Sequence, residues 1–413
     1  MMHRLSFSIP VIGLIFVSLA CKDNGTGPVP NPPNHTIAYL QQQTITQSNR
    51  FGFNLFNTVD RASPDSNLLV SPLSVSMALG MTLNGAGGAT YDSMAHVLGF
   101  DALTNQEIDE SYQAVMASLT SADPSVASTI ANSIWIRQGF NVDTAFVSVN
   151  KTYFKADVTP LDFSNPSAAT TINNWVSTAT NGKIPAIVAS PIPALIKMYL
   201  IDAVYFKGAW AAQFDSSKTA NASFVLRNGT RAEVPMMFQE HRFPYYGDAT
   251  LQIIDLPYGN GNYRMTIVLP ASGTDIDAFI ASMNPAEWAG WLGKMESDEV
   301  NLTLPRFTFR SDLMLVDALS AMGMGVAFTP YADFTRITSF PPLLISEVKH
   351  KTYIKVGEQG TEAAAVTSVG ATATVVYIPP QGFVMDVNHP FLFAIREATS
   401  GTIMFIGKVI DPR

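Results

Sequence analysis

A single cysteine among 413 residues excludes an internal disulfide. Charge is also scarce. Lys, Arg, Asp and Glu make up 14% of the chain, against about a quarter in an ordinary globular protein. Much of the surface must therefore be Ser, Thr, Asn and Gln. The balance of charge is wrong for nucleic acid: the net value is −8, and no basic run or aromatic-interleaved patch offsets it. The apolar stretch from Ile9 to Ala20 spans twelve positions, too few to cross a bilayer. Catalytic signatures are missing as well. None of the six histidines sits in a zinc spacing such as H-E-x-x-H, and there is no G-x-S-x-G elbow and no Walker A motif. "NGAGGAT" is glycine-rich, but it lacks the Lys-Ser/Thr that a phosphate loop needs and reads as a turn between helices. Acidic residues are scattered without a pairing suited to acid–base work. These absences predict a protein that is not an enzyme and needs no metal or cofactor.

What is present is a core. Hydrophobic residues form 47% of the chain, too many for disorder. The first residues stand apart: Arg4, then the short apolar run, read as a secretion signal over residues 1–20. "SLAC" resembles a bacterial lipoprotein processing site, which would leave Cys21 as a lipidated first residue. The alternative is an ordinary secretory signal that ends near a cysteine. In either case the Gly/Pro/Asn-rich residues up to 37 form a flexible tether. The expected location is the periplasm or cell surface when lipid-anchored, and the extracellular space otherwise. Membrane contact is expected through the lipid alone.

Residues 38–413 show no repeat and no linker and read as one domain. "NRFGFNLFNTV" places apolar residues at helical spacing. "SPLSVSMALGMTL" begins with Ser71 as a cap and Pro72 in the first turn, then runs apolar on every side, so it predicts an internal helix. Another helix restarts in "GATYDSMAHVLGF". "TIANSIWI", "YLIDAVYF", "YRMTIVLP" and "VNLTLPRFTF" read as strands, and "PFLFAIREATSGTIMFIGKVI" as two strands around a turn. Helical returns are expected near Asp277 and Asp312. The mixture predicts an α+β fold, a large mostly antiparallel sheet covered by helices.

One segment fits none of these categories. "GEQGTEAAAVTSVGATATVVYIPPQGF", residues 357–383, combines glycines, small residues and β-prone residues. Alternate positions from Thr361 to Ala371 are small or β-branched and suit a packed interior, and residues 361–378 contain no proline. Alanine and glycine nevertheless give weak strand propensity. The tract is compatible with a sheet without being committed to one.

Here the chain resembles the serpin family. "GEQGTEAAAVTSV" is similar to the hinge of inhibitory serpins. "NLLVSPLSVSMAL", "GAGGATYDSM", "INNWV", "NGKI", "VYFKGAW", "LPRFTF", "HKTYIKVGEQGTEAAA", "NHPFLFAI" and "FIGKVIDP" follow in the family's order. The resemblance implies a serpin fold with additional sheets, eight or nine helices and an exposed reactive-centre loop. It also implies a monomeric suicide inhibitor whose partner is a serine or cysteine protease. Cleavage of the loop would free its N-terminal half to enter the main sheet, dragging the acylated protease with it.

By the same resemblance the hinge is Glu358, Gly360, Thr361, Glu362, Ala363, Ala364 and Ala365. The reactive bond falls at Thr374–Val375, with Ala373, Val376 and Tyr377 as neighbours. Small residues there suit elastase-like or subtilisin-like enzymes, and Tyr377 suits chymotrypsin-like ones. Ser71, Ser74, Asn173 and His350 match the family's shutter; their plain reading is a helix cap, a helix-face serine and buried hydrogen-bonders. Trp210 and Arg306 match the breach, Arg306 as the partner of Glu358. The alternative function is a non-inhibitory binding protein on the same fold.

Overall fold

The structure is a computed structural model, and it describes residues 35–339, 342–362 and 382–413. Residues Thr36–Arg413 cluster as one unit. In chain order the elements are α1 (Ile37–Ala62), β1 (Leu68–Val70), α2 (Pro72–Leu83), α3 (Gly88–Leu98), α4 (Asn105–Ser121), β2 (Ala127–Arg137) and α5 (Thr144–Tyr153). Next come β3 (Asp157–Leu161), α6 (Ala168–Ala179), β4 (Met198–Ala209), β5 (Ala220–Val225), β6 (Arg231–Gly247), β7 (Leu251–Tyr258) and β8 (Tyr263–Pro270). They continue with α7 (Ile276–Ser282), α8 (Pro285–Leu292), β9 (Glu296–Pro305), β10 (Phe307–Met314) and α9 (Val316–Leu319). The last are β11 (Lys349–Gly357), β12 (Gly360–Thr361), β13 (Phe383–Asp386), β14 (Phe391–Glu397) and β15 (Ile403–Val409).

Two sheets organise them. A nine-stranded sheet runs β1-β15-β14-β8-β7-β6-β9-β13, with β5 also on β6. A six-stranded sheet runs β10-β11-β12-β4-β2-β3. Pairing is antiparallel except at β2–β3 and β9–β13. The architecture is α+β, as the sequence leads one to expect.

Local chemistry explains the placement. The Ser71 hydroxyl accepts from Ser74 N–H at the start of α2, Pro72 occupies the first turn, and nearly the whole helix is buried. A capping box of Thr104 and Glu107 starts α4. Every residue of β14 and β15 is buried, and apart from Arg396, Glu397 and Lys408 their side chains are apolar, as strands covered on both faces require.

Two expectations change. Asp312 lies in β10, paired with Lys351 of β11, and the helix begins only at Val316. Ser311 points inward to accept from Leu69 N–H, which holds that stretch in the ladder. "VNLTLPRFTF" is also two strands: β9 ends at Pro305, and β10 begins at Phe307 in the other sheet.

Candidate functional site

The six-stranded sheet is divided between β4 and β11. Among the described residues, only the two-residue β12 joins them. Gly360 pairs with Ala209 and Gly357, and Thr361 pairs with Gly208 and Val356. Glu362 N–H then donates to Lys355 O at 2.8 Å, after which Glu362 turns out of the extended region at φ 61°. Below this wedge lies a cleft of about 470 Å³, with β4 on one wall and the segment leading into β11 on the other. Its floor is α2, and residues following α6 also line it.

Glycine at 360 is a packing requirement. Its φ is 145°, and a Cβ would sit 2.1 Å from Gly208 O. Thr361 is 2% exposed, and its hydroxyl shares a 2.5 Å hydrogen bond with that of Tyr258. The Tyr258 ring stacks on Trp210 with centroids 4.4 Å apart. Trp210 in turn donates from its indole to Gly357 O and from its backbone to Gln359 O. Glu358 is buried, accepts from the Thr219 hydroxyl at 2.8 Å, and lies 3.5 Å from the half-exposed Arg306 guanidinium.

Titratable groups line the cleft. Ser71 N–H donates to His350 Nε2 at 2.9 Å. That bond requires an unprotonated ring nitrogen, and burial lowers the His350 pKa to about 4. Opposite, on β4, the Asp202 carboxyl lies buried near Ser74. Among the described residues no cation pairs with it, and burial raises its pKa to about 8. It is therefore largely protonated at neutral pH. Both groups are thus uncharged where they face the cleft.

The family model described as "Serpin (serine protease inhibitor)" matches residues 46–412. The chain is a serpin. It is 33% identical to neuroserpin from Gallus gallus over 393 residues, covering 92% of each chain. It is 32% identical to leukocyte elastase inhibitor from Sus scrofa, over 90% of this chain and all of that one. The structure of thyroxine-binding globulin complexed with thyroxine superposes with a TM-score of 0.80 at 29% identity, over 89% of this chain and 99% of that one.

In this serpin, Trp210, Arg306, Glu358, Gly360 and Thr361 meet at the top of the divided sheet. Ser71, Ser74 and His350 meet at the cleft. Asn173 does not join that trio. Its amide spans Ile187 N–H, Val188 N–H and Val188 O, pinning the strap that follows α6. Ala363, Ala364, Ala365, the bond Thr374–Val375, and Ala373, Val376 and Tyr377 lie outside the described residues, as does Cys21. Sequence reasoning missed Tyr258, Thr219 and Asp202. Asp202 sits in a strand read correctly as "YLIDAVYF", where a charge at an inward position of an apolar strand was the available signal.

Proposed function

We propose that this serpin is a suicide-substrate inhibitor of serine proteases, acting by loop cleavage and insertion between β4 and β11. The observation that carries the reading is the short strand β12, which seats the hinge between the two strands that border the cleft. Extending its register downward would set Ala363 across from Phe206 and Ile354, Ala365 across from Val204 and Thr352, and Thr367 across from Asp202 and His350. Residues directly opposed in antiparallel ladders share a face. The small residues at alternate positions would then meet the core, where bulk has no room.

Insertion would supply what the divided sheet lacks. About fourteen residues at ~3.3 Å each move the strand end by roughly 46 Å, enough to carry an attached protease across the molecule. A dozen or so new ladder hydrogen bonds at about 1 kcal/mol net each make the step irreversible in practice. The intact fold is accordingly metastable behind a kinetic barrier.

The bait residues, and similarity to a protein named leukocyte elastase inhibitor, favour elastase-, chymotrypsin- or subtilisin-like targets. Similarity to thyroxine-binding globulin is the ground for the second reading, a binding protein. The hinge argues against it, because "GTEAAA" carries no bulky or proline residue that would block the sheet. Neither reading includes catalytic turnover. We further propose secretion and, through a lipidated Cys21, membrane display of a monomer.

The test is incubation of purified protein with elastase, chymotrypsin and subtilisin. A protease–serpin complex that survives denaturing electrophoresis is the expected result. Loop cleavage that leaves every protease active would defeat the inhibitory reading.

A further inference from the structure

Two lysines border the top of the divided sheet. Lys207 of β4 is exposed and Lys355 of β11 is half-buried, and among the described residues no carboxylate makes an ion pair with either. The ladder sets their spacing. Thr361 pairs with Gly208 on one side and Val356 on the other, so the next position, 362, falls between Lys207 and Lys355. The faces agree as well. Phe206, Ile354 and Val356 are buried, which puts Lys207 and Lys355 on the outer face, and directly opposed residues of an antiparallel ladder share a face. An extended Glu362 would therefore have a lysine one strand away on each side, with Cβ atoms about 4.5–5.5 Å apart. The two lysines themselves are two strand spacings apart, about 10 Å, which leaves room for a carboxylate between them.

In the intact fold Glu362 is poorly accommodated. Its φ is 61°, a conformation that side-chain-bearing residues rarely hold. Its carboxylate is almost fully buried, and burial pushes its pKa up. Oε2 has no hydrogen bond among the described residues, because Lys183 Nζ stands 3.6 Å away, beyond hydrogen-bond reach. An unsatisfied buried oxygen is costly. Extension relieves both defects. The backbone returns to the broad allowed region, and the carboxylate gains Lys207 and Lys355 without having to leave Lys183, which rests over the Tyr353 ring on the same face. We propose that Lys207 and Lys355 form a clasp that receives the Glu362 carboxylate and so favours advance of the hinge into the divided sheet. The proposal rests on the insertion reading above and names what assists its first step. Both lysines are positioning residues, because they act through the backbone that carries the bait.

The experiment counts molecules of full-length protein consumed per protease inhibited, with elastase, chymotrypsin and subtilisin. Slower entry of the hinge lets more acyl-enzyme hydrolyse, so the count rises. Glu362→Lys sets a third cation between the two lysines and should raise the count at least about threefold. The same substitution combined with Lys207→Glu and Lys355→Glu restores opposed charges and should return to within about twofold of the parent. Glu362→Gln keeps the shape without the charge and should fall between the parent and Glu362→Lys. A smaller rise in Glu362→Lys would overturn the clasp. So would a triple variant no better than Glu362→Lys, or a Glu362→Gln as damaging as Glu362→Lys, since the loss would then lie in shape and not in charge. The parent separates the two levels of argument. If it forms no denaturation-resistant complex with any of the three proteases, the insertion reading falls and takes the clasp with it. If it does form one and the variants match it, the clasp alone falls.

Discussion

The nine-stranded sheet of this serpin and the cleft in its divided sheet treat buried charge in opposite ways. In the nine-stranded sheet it is paired. Lys408 of β15 is fully buried against Asp60 and also reaches Asp277 and the Pro64 carbonyl. Arg396 of β14 meets Asp255 of β7. That sheet is hydrogen-bonded from strand to strand across its whole order. In the divided sheet, Asp202 and His350 face the cleft, and both are held neutral by burial. The first sheet has used its interactions. Among the described residues, the second has β4 and β11 joined only through β12, and unmade ladder bonds along those strands are the reserve that the proposed insertion would use.

The largest expected effect tests that reserve directly. Nicking the loop within residues 363–381 should raise the melting temperature by more than about 10 °C, since a dozen ladder bonds at ~1 kcal/mol each would form. Scanning calorimetry of nicked and intact protein decides the point. A nicked protein that melts no later than the intact one would erase the contrast between the sheets.

Next in size is Thr361→Arg. The side chain is 2% exposed against Tyr258, so a charge there would have to be buried without a partner. The variant should be cleaved as a substrate, with the stoichiometry of inhibition rising at least several-fold. Titration against elastase measures it, and an unchanged stoichiometry would refute the register. Lys408→Met attacks the other sheet. It strands Asp60 without its cation and should cost about 3–5 kcal/mol in urea unfolding, with no change in stoichiometry.

How much of this was legible beforehand follows from what sequence encodes. Composition and caps gave α2, since Ser71, Pro72 and an apolar run leave few alternatives. Predominantly apolar, β-prone runs around a turn gave β14 and β15. Asp312 misled because the polar residues of β10 alternate within a strand whose partners are distant in sequence. The hinge expectation rests on a glycine and small side chains that are local facts of the sequence. Tyr258 and Asp202 acquire their roles only from strand register, which brings Tyr258 to Thr361 across 103 positions. No window of sequence contains that pairing.

Asp202→Asn sharpens the comparison through pH. The folded protein keeps a proton on Asp202 up to about pH 8, whereas the unfolded chain releases it near pH 4. The stability this residue contributes is whole below about pH 4 and drains away as pH climbs to about 8. The variant should therefore match the parent near pH 4 and exceed it by roughly 2–5 kcal/mol near pH 8. His350 has the opposite sign. Its folded pKa of about 4 lies below the ordinary 6.5, so its contribution is present above pH 6.5 and lost on acidification through about 4. Urea titrations from pH 4 to 9 should separate the two slopes, and a flat difference between Asp202→Asn and parent would show that the carboxyl is solvated.

The smallest effect concerns Arg306. Its guanidinium is 42% exposed and 3.5 Å from Glu358, while Thr219 makes the shorter bond to the same carboxylate. Solvent screens such a pair, so Arg306→Ala should cost under about 1 kcal/mol. Thr219→Val removes a hydrogen bond to a buried charge and should cost more, about 1.5–3 kcal/mol. If the order reverses in chemical denaturation, the ion pair is the principal latch on the hinge and the hydroxyl is secondary. The grip at the top of the divided sheet would then be electrostatic, weakened by salt, rather than the salt-insensitive bond that the geometry favours.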